Sequence, residues 1–136
     1  MQTNPYIFFT GDCEAAFKFY EDRLGAKILT MMKHAGTPAE GHVPAEWGEK
    51  IIHGRIQLGD TVVMASDVPP GQSEKTQGFR LSLSFDKPAD ADRAFNALAE
   101  SGSVQMPIAK TFFAERFGML TDRFGVPWMI NCEKPA

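Results

Sequence analysis

A strand–helix–strand–strand–strand pattern occurs twice along the 136 residues, and few folds accommodate such a repeat. In each copy a short apolar strand precedes an amphipathic helix that ends at a glycine, and three further strands follow. Half of a chain of this length is too small to hold a core alone, so we expect the two copies to form one structural domain. The pattern predicts an α+β fold of two tandem βαβββ modules, residues 1–68 and 79–136, joined by a linker at 69–78.

The first module opens with a strand at residues 5–10 that ends at Gly11-Asp12, and Asp12 is predicted to cap the helix at 13–24. The remaining strands of this module are predicted at residues 26–32, 51–58 and 61–66. Between the first two lies a polar connection, residues 33–50, which is long for a compact domain. Connections of this length are typical of lids and binding loops.

The second module repeats the order, and its first strand alternates strictly between apolar and polar residues. Its strands are predicted at residues 79–85, 104–109, 112–121 and 127–132, with a helix at 89–101. A helix covers one face of each sheet, so the other face is left to a partner module or to a cavity. The predicted result is a curved mixed-sheet cup. Polar side chains in the middle of strands face either water or that cup: His53, Arg55, Gln57, Arg80, Ser82 and Ser84.

The amino-acid composition limits which kinds of molecule the protein is expected to bind. The chain is 43% hydrophobic and 23% charged, with a net charge of −3, as in ordinary soluble globular proteins. A nucleic-acid binder normally presents a basic face, and no apolar run approaches the length of a membrane span. Cys13 and Cys132 are too few for a disulfide framework. We therefore expect a cytoplasmic protein without nucleic-acid or membrane partners.

Three motifs carry a resemblance to a known family. They are YIFFTGDCEAAFKFY at residues 6–20, IHGRIQLGDTVVMASD at 52–67 and TFFAERFGMLTDRFGVPW at 111–128. In this order they resemble the PhnB-like branch of the vicinal-oxygen-chelate superfamily, which includes glyoxalase I, extradiol dioxygenases and the fosfomycin and bleomycin resistance proteins. That branch is also labelled 3-demethylubiquinone-9 3-methyltransferase-like. Residues 113–116 are FAER where the branch usually has WGDR, and residues 122–125 are DRFG where it usually has DPFG.

The resemblance implies a divalent metal held by His and Glu side chains on four strands. The matching positions here are Pro5, Val63 or Met64, Arg80 and Met129. Proline, valine and arginine do not ligate metals, and a thioether suits soft ions instead of Mg²⁺, Mn²⁺ or Zn²⁺. We therefore predict no metal at the usual site. A displaced divalent-metal site remains the alternative, with donors around the long connection: His34, His42, Glu46 and His53.

A small-molecule ligand is the expected partner of the cup. Arg80 would anchor a carboxylate, phosphate or phosphonate, unless it is a surface residue or is paired with a carboxylate of the chain. Trp47 is predicted to act as a lid over the ligand or as a dimer contact. The complete set of predicted ligand-binding residues is Ile7, Phe9, Trp47, Arg55, Arg80, Ser82, Ser84 and Met129.

Two hypotheses about function follow. The first is metal-free binding of a small anionic or aromatic ligand. The second is a glyoxalase- or dioxygenase-type lyase or isomerase that uses a displaced metal or acid–base chemistry by Glu115 and His53. Glu115 is expected to share a face with Phe113, Phe117 and Met119, where an aromatic environment would raise its pKa unless it pairs with a nearby arginine. The resemblance also implies a homodimer.

Overall fold

The computed structural model describes residues 1–135, which divide into two compact units. The first unit is Met1–Glu74 and the second begins at Lys75. Each unit contains one four-stranded mixed sheet and one α-helix in the order βαβββ. The predicted α+β class with two tandem βαβββ modules is therefore confirmed.

The first unit contains β1 (Tyr6–Phe9), α1 (Cys13–Leu24), β2 (Lys27–Lys33), β3 (Ile51–Leu58) and β4 (Thr61–Asp67). Its sheet has the strand order β1-β4-β3-β2, with β1 parallel to β4 and the other pairs antiparallel. The long connection between β2 and β3 contains two short 3₁₀ turns, Pro38–His42 and Ala45–Trp47. The buried His34 ring fixes its start, because Nδ1 lies 2.8 Å from the Lys50 carbonyl oxygen.

The second unit contains β5 (Leu81–Phe85), α2 (Pro88–Ala99), β6 (Ser103–Ala109), β7 (Ala114–Thr121) and β8 (Pro127–Glu133). Its sheet has the order β5-β8-β7-β6, with β5 parallel to β8. The first strand was predicted from Phe79 but begins at Leu81, and the Phe79 side chain is exposed. The outer strand β6 contains Pro107 and pairs with β7 through two register shifts.

In the first unit, α1 covers the sheet face that contains Gly54. A Cβ on Gly54 would lie 3.0 Å from the Phe17 ring of α1, so glycine permits the helix to approach the strand. Register places Ala65 opposite Gly54 and Ile7 opposite Ala65, so Ile7 faces the helix. Phe9 lies on the same face, and both side chains are buried. They therefore belong to the core under α1, and their predicted placement on the face that lines the cup is wrong.

In the second unit, α2 covers the face that contains Gly118. A Cβ there would lie 2.7 Å from the Phe95 ring of α2. Register continues this face through Ile130 to Leu83, and Trp128 on the same face is fully buried. Residues of the opposite parity form the open face of the sheet, including Ser82, Ser84, Phe117, Met119, Met129 and Asn131.

A buried carboxylate at the end of β4 connects three segments of the first unit. Asp67 Oδ1 accepts hydrogen bonds from the backbone N–H groups of Gly11 at 2.9 Å and Cys13 at 3.0 Å, and Oδ2 accepts from Ile51 at 2.9 Å. Asp67 therefore caps α1 from a distant strand. The predicted cap is wrong: within residues 1–135, Asp12 makes no side-chain cap bond, since its φ of −103° and ψ of 8° depart from the extended N-cap conformation.

The second unit places a buried carboxylate at the turn between β7 and β8. Asp122 Oδ1 accepts from the backbone N–H groups of Phe124 at 2.9 Å and Val126 at 3.0 Å. Its Oδ2 accepts from the indole Nε1 of Trp128 at 2.9 Å. The same carboxylate thus closes the turn and fixes the largest buried side chain of this unit.

We expect Asp67→Ala to lower the free energy of unfolding by at least about 3 kcal/mol, because it leaves three amides without their charged acceptor. Asp12→Ala, at the same helix end, is the matched control and should cost less than about 1 kcal/mol, through the helix dipole alone. Urea unfolding followed by circular dichroism measures both. Equal losses for the two variants would contradict the assignment of the cap to Asp67.

Candidate functional site

The open face of the second sheet carries two adjoining clefts. We call the first the Arg80 cleft; it has a volume of about 520 Å³, and its lining includes Gln77, Phe79, Arg80, Met119, Thr121 and Met129. The second, the Phe117 cleft, has a volume of about 330 Å³ and is lined by Ser82, Phe113, Phe117, Met129, Asn131, Glu133 and Lys134. Met129 lines both clefts, so a ligand that extends across its side chain would contact the two together.

Strand register explains the apolar floor of these clefts. Met129 on β8 lies opposite Ser82 on β5 and opposite Met119 on β7, and Met119 lies opposite Met106 on β6. Neighbouring side chains in such a row lie about 5 Å apart. The three thioether side chains therefore form a band across the open face. Thioethers are flexible and polarizable, so such a band can fit a range of apolar or aromatic groups.

Arg80 is half-buried immediately before β5 and bonds only to neutral acceptors. Its Nη1 donates to the carbonyl oxygens of Leu120 at 2.9 Å and Trp128 at 3.3 Å, and to Gln105 Oε1 at 3.2 Å. Among residues 1–135, no carboxylate lies within ion-pair distance of this guanidinium. The structure thus fixes a positive charge at the edge of an apolar cleft without a counter-charge from the described chain.

The two serines predicted for binding lie on the open face, as Arg80 does. Ser82 lines the Phe117 cleft next to Met129. Ser84 lies one row further along β5, opposite Asn131, and is exposed. Asn131 was not singled out from the sequence, and Phe117 was named only as a neighbour of Glu115, although the period of two along β7 and β8 could have placed both beside Met129.

Glu115 does not line the Phe117 cleft. Ala114 lies opposite Glu133 and Arg116 opposite Cys132, so Glu115 is the extra residue of a β-bulge. The bulge breaks the alternation that was expected to place Glu115 beside Phe117. Its carboxylate instead lies 3.8 Å from Lys110 Nζ, with 27% of the side chain exposed. The pairing with Lys110 was not predicted, because the sequence analysis considered only arginines as partners of Glu115.

In the first unit, His53 and Arg55 lie on the open face of β3. The Tyr6 hydroxyl lies 3.2 Å from His53 Nδ1, and the two rings are stacked with centroids 5.8 Å apart. Phe8 extends this cluster, 5.2 Å from Tyr6. Arg55 is exposed and lines a shallow cleft of about 290 Å³ beside Asp60. From the sequence, Ile7 and Phe9 were assigned to the site instead of Tyr6 and Phe8, which inverted the facing of β1.

Trp47 packs within the first unit against Lys50 and Gly11. The Lys50 ammonium lies 6.0 Å from the centre of the indole ring and donates to the Gly11 carbonyl oxygen at 3.1 Å. The indole Nε1 is buried and has no acceptor among the residues that the structure describes. The tryptophan thus helps to hold the long connection against the turn after β1.

The environment of the two cysteines does not favour a role as nucleophile. Both thiols are free and buried. Burial is the largest cause, and repulsion by the carboxylates of Asp67 and Glu14 is the smaller one; together they raise the pKa of Cys13 to about 12. The thiol therefore stays protonated at neutral pH, although it lies at the start of a helix.

The two units and their sequence define the class of protein. The sequence pattern of the Glyoxalase/Bleomycin resistance protein/Dioxygenase superfamily matches residues 2–130, and the chain belongs to this superfamily. It is 33% identical to Protein YjdN of Escherichia coli K12 over 142 aligned positions, which cover 98% of this chain and 97% of YjdN.

Two solved structures extend the comparison. Protein PA1353 from Pseudomonas aeruginosa is 46% identical with a TM-score of 0.88, and 99% of each chain is covered. A PhnB protein from Bacillus cereus, which carries a provisional 3-demethylubiquinone-9 3-methyltransferase label, is 22% identical with a TM-score of 0.82. That alignment covers 97% of this chain and 99% of the other, and the likeness is one of fold. Membership of the predicted superfamily is confirmed, and a PhnB protein is among the proteins that share the fold.

The donor set does not fit the divalent metal that the superfamily implies. Residues 75–136 contain no histidine, and the open face of their sheet presents Ser82, Met129 and Asn131 beside the Arg80 guanidinium. The donors of the alternative, displaced metal site do not fit a divalent ion either. His34 bonds the Lys50 carbonyl, while His42 is exposed on a 3₁₀ turn. Within residues 1–135, no three His, Cys, Asp or Glu side chains are grouped so that they could hold an ion.

We expect Mn²⁺, Zn²⁺, Ni²⁺ and Fe²⁺, each at about 100 µM, to change the melting temperature by less than about 1 °C, because binding to weak scattered donors adds little stability. Differential scanning fluorimetry measures the shift, and elemental analysis of the purified protein measures resident metal. Calcium, which also lacks a donor set here, is the control ion. A rise of several degrees, or a stoichiometric metal content, would contradict this reading of the donors.

Proposed function

We propose that this protein binds a small ligand with an anionic group and an aromatic or apolar body, without a metal, on the open face of its second sheet. The observation that carries the proposal is the Arg80 guanidinium, which the described chain supplies with neutral acceptors only. A half-buried cation without a counter-ion is costly, and an anionic ligand would remove that cost.

The side chains beside Arg80 support the proposal that the ligand has an aromatic or apolar body. Phe79, Met119 and Met129 line the Arg80 cleft, and Phe113 and Phe117 line the adjoining cleft. The Phe113 and Phe117 rings meet edge to face, 5.1 Å apart. Apolar walls beside a fixed positive charge are typical of sites that bind small organic anions.

The alternative, a metal-dependent or acid–base lyase or isomerase, draws no support from a specific arrangement of described residues. His53 is engaged by the Tyr6 hydroxyl, and Glu115 is turned towards Lys110 at a bulge. The binding proposal therefore takes precedence.

As to cellular compartment, no helix within residues 1–135 has the length and apolar character needed to cross a membrane. The two free thiols support our proposal that the protein works in the reducing cytoplasm.

We also propose that the protein is a homodimer. The Phe112 side chain is 91% exposed at the loop before β7, and Phe113 beside it is 50% exposed at the rim of the Phe117 cleft. Two adjacent exposed phenylalanines are unusual on a monomer and suit a surface that a second copy covers.

Replacing Arg80 by Gln should weaken the binding of aromatic carboxylates and phosphonates by about tenfold to a hundredfold, because a charge-assisted pair is lost. Isothermal titration calorimetry with a panel of aromatic anions and their neutral amide counterparts measures the effect. Arg93→Gln is the matched control, since Arg93 is an exposed arginine on α2 paired with Asp90. The proposal fails if no anion in the panel binds more tightly than its amide, or if both variants lose affinity equally.

Replacing Phe112 by Ser should shift the protein towards monomer without lowering its melting temperature, because the side chain is exposed within a single chain. Sedimentation velocity over a range of concentrations measures the mass. Leu29→Ser, an exposed apolar residue on β2 of the first unit, is the control. A wild-type protein that sediments as a monomer at every concentration would refute the dimer.

A further inference from the structure

We infer that the Arg80 cleft is a bidentate oxyanion site, in which Thr121 and Gln105 orient the guanidinium so that its Nε and Nη2 atoms form the binding fork. This inference rests on the proposed function and specifies the ligand group: a carboxylate, phosphonate or phosphate with two oxygens to share. Titration with both a carboxylate and a phosphonate decides which of these groups the ligand carries.

One side of the guanidinium is already committed to the protein. Nη1 carries two hydrogens and lies within hydrogen-bond distance of the Leu120 and Trp128 carbonyl oxygens and of Gln105 Oε1. Because a guanidinium presents a fixed planar set of five N–H donors, occupation of Nη1 removes the end-on fork between Nη1 and Nη2. The side-on fork between Nε and Nη2 remains, and neither atom has an acceptor among residues 1–135.

The orientation of Gln105 follows from the donors that meet on it. Arg80 Nη1 can only donate, so the Gln105 atom 3.2 Å away is the amide oxygen and not the nitrogen. The Thr121 hydroxyl donates to the same oxygen at 3.1 Å. Two donors converge on one acceptor, and this fixes the amide in place. Thr121 also lines the Arg80 cleft, so the chain from Thr121 through Gln105 to Arg80 borders the space that a ligand would fill.

A fixed guanidinium fork discriminates between anions. Carboxylates and phosphonates present two oxygens at the spacing of two parallel N–H groups, whereas a halide or a single hydroxyl engages one donor. Lysine at the same position would supply the charge without the planar fork. The inference therefore predicts a preference for bidentate oxyanions that depends on the shape of residue 80 as well as on its charge.

The test titrates benzoate and phenylphosphonate, with benzamide as the neutral counterpart, into ¹⁵N-labelled protein and follows the Arg80 Nε–H signal by NMR. We expect either oxyanion to move this signal while benzamide and chloride leave it in place. The tighter of the two oxyanions identifies the source, carboxylate or phosphonate. The Arg93 Nε–H signal is the internal control, because Arg93 lies exposed on α2.

Four variants separate the orientation of the guanidinium from its charge. Arg80→Lys should weaken the binding of the preferred oxyanion by about tenfold although the charge is kept. Thr121→Val and Gln105→Leu should each weaken it by about threefold to tenfold, since they release the guanidinium. Gln105→Glu should also abolish selectivity over benzamide, because a carboxylate beside Arg80 would occupy the charge. Melting curves establish that each variant is folded.

The outcomes distinguish the proposed function, anion binding, from the inference that Arg80 forms a bidentate fork. If wild-type protein binds neither oxyanion better than benzamide, the proposed function falls and the inference falls with it. If the oxyanions bind but the Arg80 Nε–H signal does not move, or Arg80→Lys binds as well as wild type, only the fork is refuted. Unchanged binding in both Thr121→Val and Gln105→Leu would refute their positioning role.

Discussion

The turn between β7 and β8 is held by one buried carboxylate, and the geometry of the candidate site follows from it. Asp122 ties the Phe124 and Val126 amides with one oxygen and the Trp128 indole with the other. This fixes the register in which Leu120 lies opposite Trp128, and the carbonyl oxygens of both residues accept from Arg80. The first unit uses the same device, since Asp67 joins the start of α1 to the start of β3.

The site in the second unit combines features that are individually common. A strand face with a period of two supplies an apolar floor, and an arginine at the start of an edge strand reaches back over the neighbouring backbone carbonyls. Because those carbonyls are neutral, they orient the guanidinium without cancelling its charge. A fold does not determine its function, so the residue types at these strand positions decide what chemistry the face offers.

The fold could be predicted from the sequence because helix and strand periodicities are strong local signals. The alternation in β5 also placed Ser82 and Ser84 correctly on the open face. The facing of β1 could not be obtained in this way. Its four residues, YIFF, are all apolar or aromatic, so both faces look alike until pairing with β4 decides between them. Tyr6 and Phe8 were missed for this reason, and Ile7 and Phe9 were assigned to the wrong side.

Other parts of the structure depend on contacts that are remote in sequence. The cap of α1 comes from Asp67, 54 residues beyond Cys13, whereas local rules point to Asp12. The bulge at Glu115 is visible only in its register with β8. The acceptors of Arg80 lie 25 to 48 residues away, so its neutral environment could not be deduced from its neighbours. Local pattern therefore predicts the face of a residue where a strand alternates regularly between apolar and polar residues, while tertiary pairing decides the face elsewhere and determines what each residue contacts.

The outer strand of the second sheet has a consequence for behaviour at high concentration. An unpaired strand edge offers its backbone groups to any extended peptide, and exposed Val104 and Met106 would favour such an encounter. Pro107 lacks the N–H that an added strand would need, and the two register shifts of β6 interrupt its straight edge. The strand that supplies Gln105 to Arg80 thus also carries protection against fibrillar self-association.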